Sequence, residues 1–127
     1  MSSLATEPRS VATKFVEIFL SEHTMFLQRA VIGVVPRFPA IGAAIFESGP
    51  RALTERLAKL LAEAHEAGRL RVANPALAAV QFLSIVRGDL DIRGLLLPAT
   101  PPRRAEIDAQ IEAAIELFLH FYGPSEP

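Results

Sequence analysis

The residues best placed to do chemistry are Arg87-Gly88-Asp89-Leu90-Asp91-Ile92-Arg93, which put four charges into an otherwise apolar stretch. Charges in apolar surroundings are costly unless paired. The spacing predicts Arg87–Asp91 and Asp89–Arg93 pairs at i,i+4, each worth about 0.3–0.5 kcal/mol on a helix surface. A second reading stays open, in which Arg87 or Arg93 faces a pocket and fixes the polar end of an apolar ligand. Glu22-His23 and His65-Glu66 lack the second His at i+4 that a zinc-protease helix requires, so no metal site is predicted. His65 sits near a predicted helix C-terminus, where the dipole is reason enough for it. Without cysteine there is no disulfide, no thiolate zinc site and no cysteine nucleophile. Ser48-Gly49-Pro50 and Ser84 have no base spaced to activate them, and no Gly-rich phosphate loop, nucleophile elbow or carboxylate pair occurs. We therefore expect no catalytic residue and no cofactor, with a small helical enzyme as the last alternative.

The elements that must carry these residues are marked by proline. Proline suits the first turn of a helix and breaks its interior. The ten prolines divide the chain into helical pieces at 11–20, 22–35, 39–47, 51–67, 76–97 and 103–122. Ser21 is a predicted N-cap, and Asn74-Pro75 pairs an N-cap with a first-turn proline. Gly68 and Gly123-Pro124 are stop signals. Pro36-Arg37-Phe38-Pro39 forces a rigid corner, which is either a corner alone or one at which Phe38 caps an internal cavity. No segment alternates with period two, and no Asn-Gly or Asp-Gly hairpin signal appears. The expectation is an all-α bundle of about six helices in a single domain over 1–127.

Composition limits the partners. Half of the 127 residues are hydrophobic and 21% are charged, which excludes intrinsic disorder. Mean hydropathy is +0.30, yet charged residues or prolines interrupt each apolar stretch well before the roughly 20 residues a membrane span needs. The formal net charge is −1 and only two of the 13 cations are Lys, so no nucleic-acid contact by this chain itself is expected. Glu7, Lys14 and Glu17 interrupt the segment where a secretory leader would be apolar, which points to the cytoplasm. A small domain has little interior in which to hide so many apolar side chains. The excess sits on second helix faces. Residues 76–97 carry Phe82, Val86, Leu90 and Leu97 on one side and Leu77, Ser84, Gly88 and Leu95 on the other. In 103–122 the arc of Ile107, Ile111, Ala114, Ile115 and Phe118 is widened by Leu117 and Phe121. These two helices are expected to pair across a two-fold axis as a four-helix dimer interface. The candidate interface residues are Leu77, Gln81, Ser84, Gly88, Leu95, Ile107, Ile111, Ala114, Ile115 and Phe118.

The order of several short motifs is distinctive. Val31-Ile32 is followed by Pro36-Arg37-Phe38-Pro39 and Phe46-Glu47-Ser48-Gly49-Pro50-Arg51. Then come Gly68-Arg69-Leu70-Arg71, Asn74-Pro75, Gln81-Phe82-Leu83, Arg87-Gly88, Arg93-Gly94-Leu95-Leu96 and Leu117-Phe118-Leu119. From about Phe26 to Tyr122 the chain resembles the C-terminal domain of TetR-family transcriptional regulators, in the AefR-like subgroup. Val34 departs from the pattern, which more often has Glu before the corner. The resemblance implies a homodimer whose last two helices form the interface. It also implies a pocket for a small, mostly apolar effector that shifts the DNA-reading heads. The pocket candidates are Phe15, Phe19, Met25, Phe26, Phe38, Phe46, Phe82 and Val86, with His23, Arg87 or Arg93 as polar anchors. The family's helix-turn-helix has no counterpart in these residues, so the expectation is either part of a longer repressor or a headless relative. A headless dimerisation module without a ligand is the main alternative.

Overall fold

Apolar side chains recurring at three- and four-residue spacing close into helices along the described residues. The computed structural model describes residues 3–124, with side chains from Pro8 onward. Helix α1 spans Ser3–Phe19 and buries Ala12, Phe15, Val16 and Phe19 along one stripe. It begins earlier than the sequence suggested and contains Pro8. A proline so near the start forfeits one backbone bond, which the stripe downstream outweighs. Helix α2 spans Glu22–Ile32, and the Ser21 hydroxyl accepts from the Thr24 N–H at 3.2 Å. It stops three residues short of the predicted Val35, in a run of turns that leads to Pro39.

Helix α3 is Pro39–Phe46 and helix α4 is Ala52–Glu66. The expected break between them is instead a π turn over Glu47–Arg51, so 39–66 is one rod containing Pro50. The wider turn shifts the carbonyl that a proline ring would strike in an α-helix. Arg51 sits between Glu47 and Glu55 at 3.7 and 3.9 Å, with its guanidinium 5.6 Å from the Phe46 ring centre. Helix α5 is Pro75–Arg87, capped by Asn74 Oδ1, which accepts from the Leu77 N–H at 3.1 Å. Helix α6 is Leu90–Leu96 and helix α7 is Arg104–Tyr122. The predicted single helix over 76–97 is therefore two, parted at Gly88-Asp89. With 39–66 counted as one rod, the described residues form six helical rods.

The core lies where α1, α4, α5 and α7 converge. Leu57, Leu61 and Ala64 of α4 face Ala78, Ala79, Phe82 and Val86 of α5, and Ile111, Ala114, Ile115 and Phe118 of α7 close the other side. Phe82 and Phe118 meet edge to face at 4.9 Å, the geometry ring quadrupoles prefer. Gly68, at φ +78, ends α4 and turns the chain into a strap over 69–73. Leu70 and Val72 of that strap are buried. The Arg71 N–H donates to the Tyr122 carbonyl at 2.7 Å, and the Val72 N–H donates to His65 Nδ1 at 3.1 Å. His65 thus does more than answer the helix dipole: its Nδ1 accepts from a backbone donor at a buried residue. His65→Ala should lower stability by about 1–3 kcal/mol in urea unfolding, the cost of a buried donor left without a partner. His65→Asn, which keeps an acceptor at that position, should recover most of the loss.

Candidate functional site

Two features stand out, one inside the bundle and one on its surface. The inner one is a cavity of about 60 Å³ between α1, α4, α5 and α7. Val11 of α1, Leu57, Leu61 and Ala64 of α4, Leu70 of the strap, and the Phe82–Phe118 ring pair form its walls. Pro8, Leu60 and Arg69 stand at its rim, and Arg69 is the only charged side chain among its lining residues. A chamber walled by hydrocarbon recognises apolar shape and leaves orientation to a few polar groups. As it stands it is smaller than the roughly 300 Å³ at which ligand pockets begin. A second hollow of about 70 Å³ between α1 and α7 has Glu17, Arg104 and Asp108 among its lining residues. Arg104 is already paired with Asp108 at 3.3 Å.

The pocket candidates read from sequence do not stay together. Phe82 alone lines the cavity. Phe15, Phe19 and Val86 are buried in the surrounding core, and Phe15 and Phe19 pack on each other at 4.8 Å. Met25 is buried beneath Gly94, where a Cβ would lie 3.0 Å from its sulfur. Phe26, Phe38 and Phe46 are exposed on α2, the corner and α3, and Phe38 lines neither hollow. The polar anchors are elsewhere too. His23 is exposed on α2. Arg87 pairs with Asp91 at 3.5 Å and lies 5.6 Å from the Phe15 ring centre. Arg93 pairs with Glu106 of α7 at 3.3 Å instead of with Asp89. Leu57, Leu60, Leu61 and Ala64 recur in the sequence at helical spacing, yet nothing local marks such a stripe as cavity wall. Leu70 lay in a segment that reads as a connection.

The surface feature is a shared outer face of α5 and α7. Leu77 and Val80 on α5 are 50% and 49% exposed, and Leu117 and Phe121 on α7 are 58% and 69% exposed. Gln81, Ser84 and Gly88 continue the face on α5, and Ala109 and Ala113 continue it on α7. The Tyr122 hydroxyl donates to Gln81 Oε1 across the seam between the helices. The interface candidates therefore divide. Leu77, Gln81, Ser84 and Gly88 lie on this face, but Ile111, Ala114, Ile115 and Phe118 are consumed by the protomer's own core. Ile107 is half-buried against that core, and Leu95 is half-buried on α6. The flank of α7 carrying Leu117 and Phe121, not its central arc, is the one turned outward.

Among the described residues no three metal-capable side chains converge, and no helix is long and apolar enough to cross a membrane. The shifted titratable group is Glu106 at the start of α7. The Arg103 N–H, donating at 2.9 Å, and then the Arg93 side chain hold its carboxyl below the usual range. A carboxylate lowered on folding stabilises the fold above its unfolded pKa, about 4.3, and loses that effect as pH falls through the folded value. Wild type should therefore melt higher than Glu106→Gln at pH 7, and thermal scans should show the gap closing as the pH falls below the unfolded value.

A family model described as the C-terminal domain of AefR-like transcriptional repressors matches residues 9–124. The flavonoid-responsive regulator FrrA superposes with a TM-score of 0.84 at 33% identity, over 94% of this chain and 60% of that one. A TetR transcriptional regulator from Agrobacterium tumefaciens gives 0.84 at 25% identity, over 98% of this chain and 61% of that one. For a TetR-family protein from Mesorhizobium loti the values are 0.81 and 20%, over 95% and 68%, a likeness of fold alone. The chain thus spans about 60% of the first two of these proteins. No curated protein matches it.

Proposed function

The chain belongs to the AefR-like TetR-family transcriptional regulators, as their C-terminal domain, and from that premise we propose that it is a ligand-sensing and dimerisation domain. Its family are regulators rather than enzymes. One observation carries the reading: the cavity and the outward apolar face are two sides of the same helix pair. Phe82 and Phe118 line the cavity, while Leu77, Val80, Leu117 and Phe121 face outward from those same helices, α5 and α7.

A second copy covers the outer face, giving a homodimer with four helices at the interface. A small, mostly apolar ligand enters between α4 and the Phe82–Phe118 pair, with its polar end toward Arg69. The cavity must widen to take it, so binding favours a state in which α4 and α5 stand further apart. The ligand shifts the equilibrium only by its differential affinity for the two states. In a full-length regulator in the cytoplasm, that shift is passed to the DNA-reading heads of the dimer. The small present volume supports a second reading, a dimerisation module that takes no ligand.

Sedimentation at tens of micromolar should give a dimer for the wild type. The double variant Val80→Glu/Leu117→Glu should sediment as a monomer with its helical circular dichroism kept; a wild-type monomer would sink the dimer reading. A thermal-shift panel of lipophilic amines, fatty acids and polyphenols separates the two readings. A ligand at 100 times its Kd stabilises the fold by about 2.7 kcal/mol. Ala64→Leu, which fills the cavity, should abolish that shift and leave the dimer intact. Silence across the whole panel would favour the module.

A further inference from the structure

Residues 76–97 carry a helical pattern throughout, yet they form two helices, and the causes of the break are few. Gly88 takes φ +51 and ψ −127, a conformation that L side chains rarely adopt. The Ile85 carbonyl, which the Asp89 N–H would take in an unbroken helix, accepts instead from Gln110 Nε2 of α7 at 2.6 Å. That amide occupies the place of a side chain at 88, since a Cβ on Gly88 would lie 2.5 Å from Nε2. Beyond the break, Arg93 reaches Glu106 on α7. Asp89, its i,i+4 partner on a continuous helix, has no ion pair among the described residues.

The unbroken alternative is also written into the chain. Phe82, Val86 and Leu90 recur at four-residue steps and all three are buried, so one core stripe serves a straight helix as well. The Arg87–Asp91 pair already spans the break at helical spacing. Helix α6 is lightly held: Leu90 is its one buried residue, and Ile92 and Leu96 are exposed. It is held to α2 by Gly94 resting on Met25 and by Arg29, whose guanidinium donates to the Gly94 carbonyl at 2.9 Å and, through Nε, to the Leu95 carbonyl at 3.4 Å.

We propose that 75–96 is a two-state helix, latched in its kinked form by Gln110 and able to become continuous. In the continuous state the Asp89 N–H replaces Gln110 on the Ile85 carbonyl, and Asp89 replaces Glu106 on the Arg93 guanidinium. Straightening carries Gly94 and Leu95 away from Arg29, so α6 is freed from α2. The Ile85 carbonyl and the Arg93 guanidinium each exchange one partner for another of the same kind. The net loss is confined to the Arg29 bonds and the Met25–Gly94 contact at the lightly held α6, which keeps the two states close enough for a switching element. The device needs neither the ligand nor the dimer proposed above.

The test is NMR on the whole 127-residue chain and its variants Gly88→Ala and Gln110→Ala. The wild type should show non-helical Cα shifts at 88–89 and an NOE from the Gln110 side-chain amide to Ile85. Both variants should gain helical shifts through 88–89 and an Ile85 Hα to Asp89 N–H contact, with Gln110→Ala raising the continuous population several-fold. Adding Asp89→Asn to Gln110→Ala should reverse most of that gain. Folded variants that melt lower but keep the non-helical shifts at 88–89 would overturn the proposal, because Gln110 would then be only a static cap. If Gly88→Ala does not fold, Gln110→Ala decides alone, and unchanged shifts there refute it.

Discussion

The contact between Phe82 and Phe118 is the constraint from which the rest of the molecule follows. Two rings meeting edge to face at 4.9 Å set the line along which α5 and α7 touch. Once that line is set, the remaining circumference of each helix is assigned. The side toward α1 and α4 becomes core and cavity wall. The opposite side, carrying Leu77 and Val80 on α5 and Leu117 and Phe121 on α7, can be covered only from outside the protomer. A small domain with two adjoining helices apolar on both sides cannot bury all of that surface alone. The composition excess and the outward face are the same fact seen at two scales.

The periphery is held differently from the core. Helix α3 contains no charged residue, yet none of its residues is buried. It is joined to the well-packed α4 through a π turn around Pro50. Helix α6 likewise has one buried residue and depends on hydrogen bonds and ion pairs from α2 and α7. Stability is thus graded, from the α1–α4–α5–α7 core outward to α2, α3 and α6. Elements with few buried apolar contacts are those that open or move at least cost. The proposed sensing role would draw on both regimes, a firm core to define a site and loosely held elements to report on it.

The candidate site was legible in kind but not in place. The family resemblance implies a pocket for a mostly apolar effector, and the cavity between α1, α4, α5 and α7 has a mostly apolar lining. The wall residues did not follow, because a cavity is a property of several helices at once. Phe26, Phe38 and Phe46 carried the same signal in sequence as Phe82, and only packing separates them. Arg93 had two acidic partners within reach of its sequence pattern and its contacts, and the nearness of α7 selects Glu106.

What the sequence determined by itself is everything that local spacing can encode. The all-helical class, the caps at Ser21 and Asn74, and the apolar stripes of each helix depend on residues within one turn of each other. What the tertiary structure alone decided is which of two apolar faces turns inward, and whether a permissive residue is used. Ile115 and Leu117 are equally apolar neighbours on α7, yet one is core and the other surface. Gly88 permits a break without requiring one, and at the break the Gln110 amide of another helix takes the Ile85 carbonyl. Local propensity sets what a segment can be. The partner across the contact chooses among those forms, because only there is the lost backbone bond replaced and the apolar face removed from water.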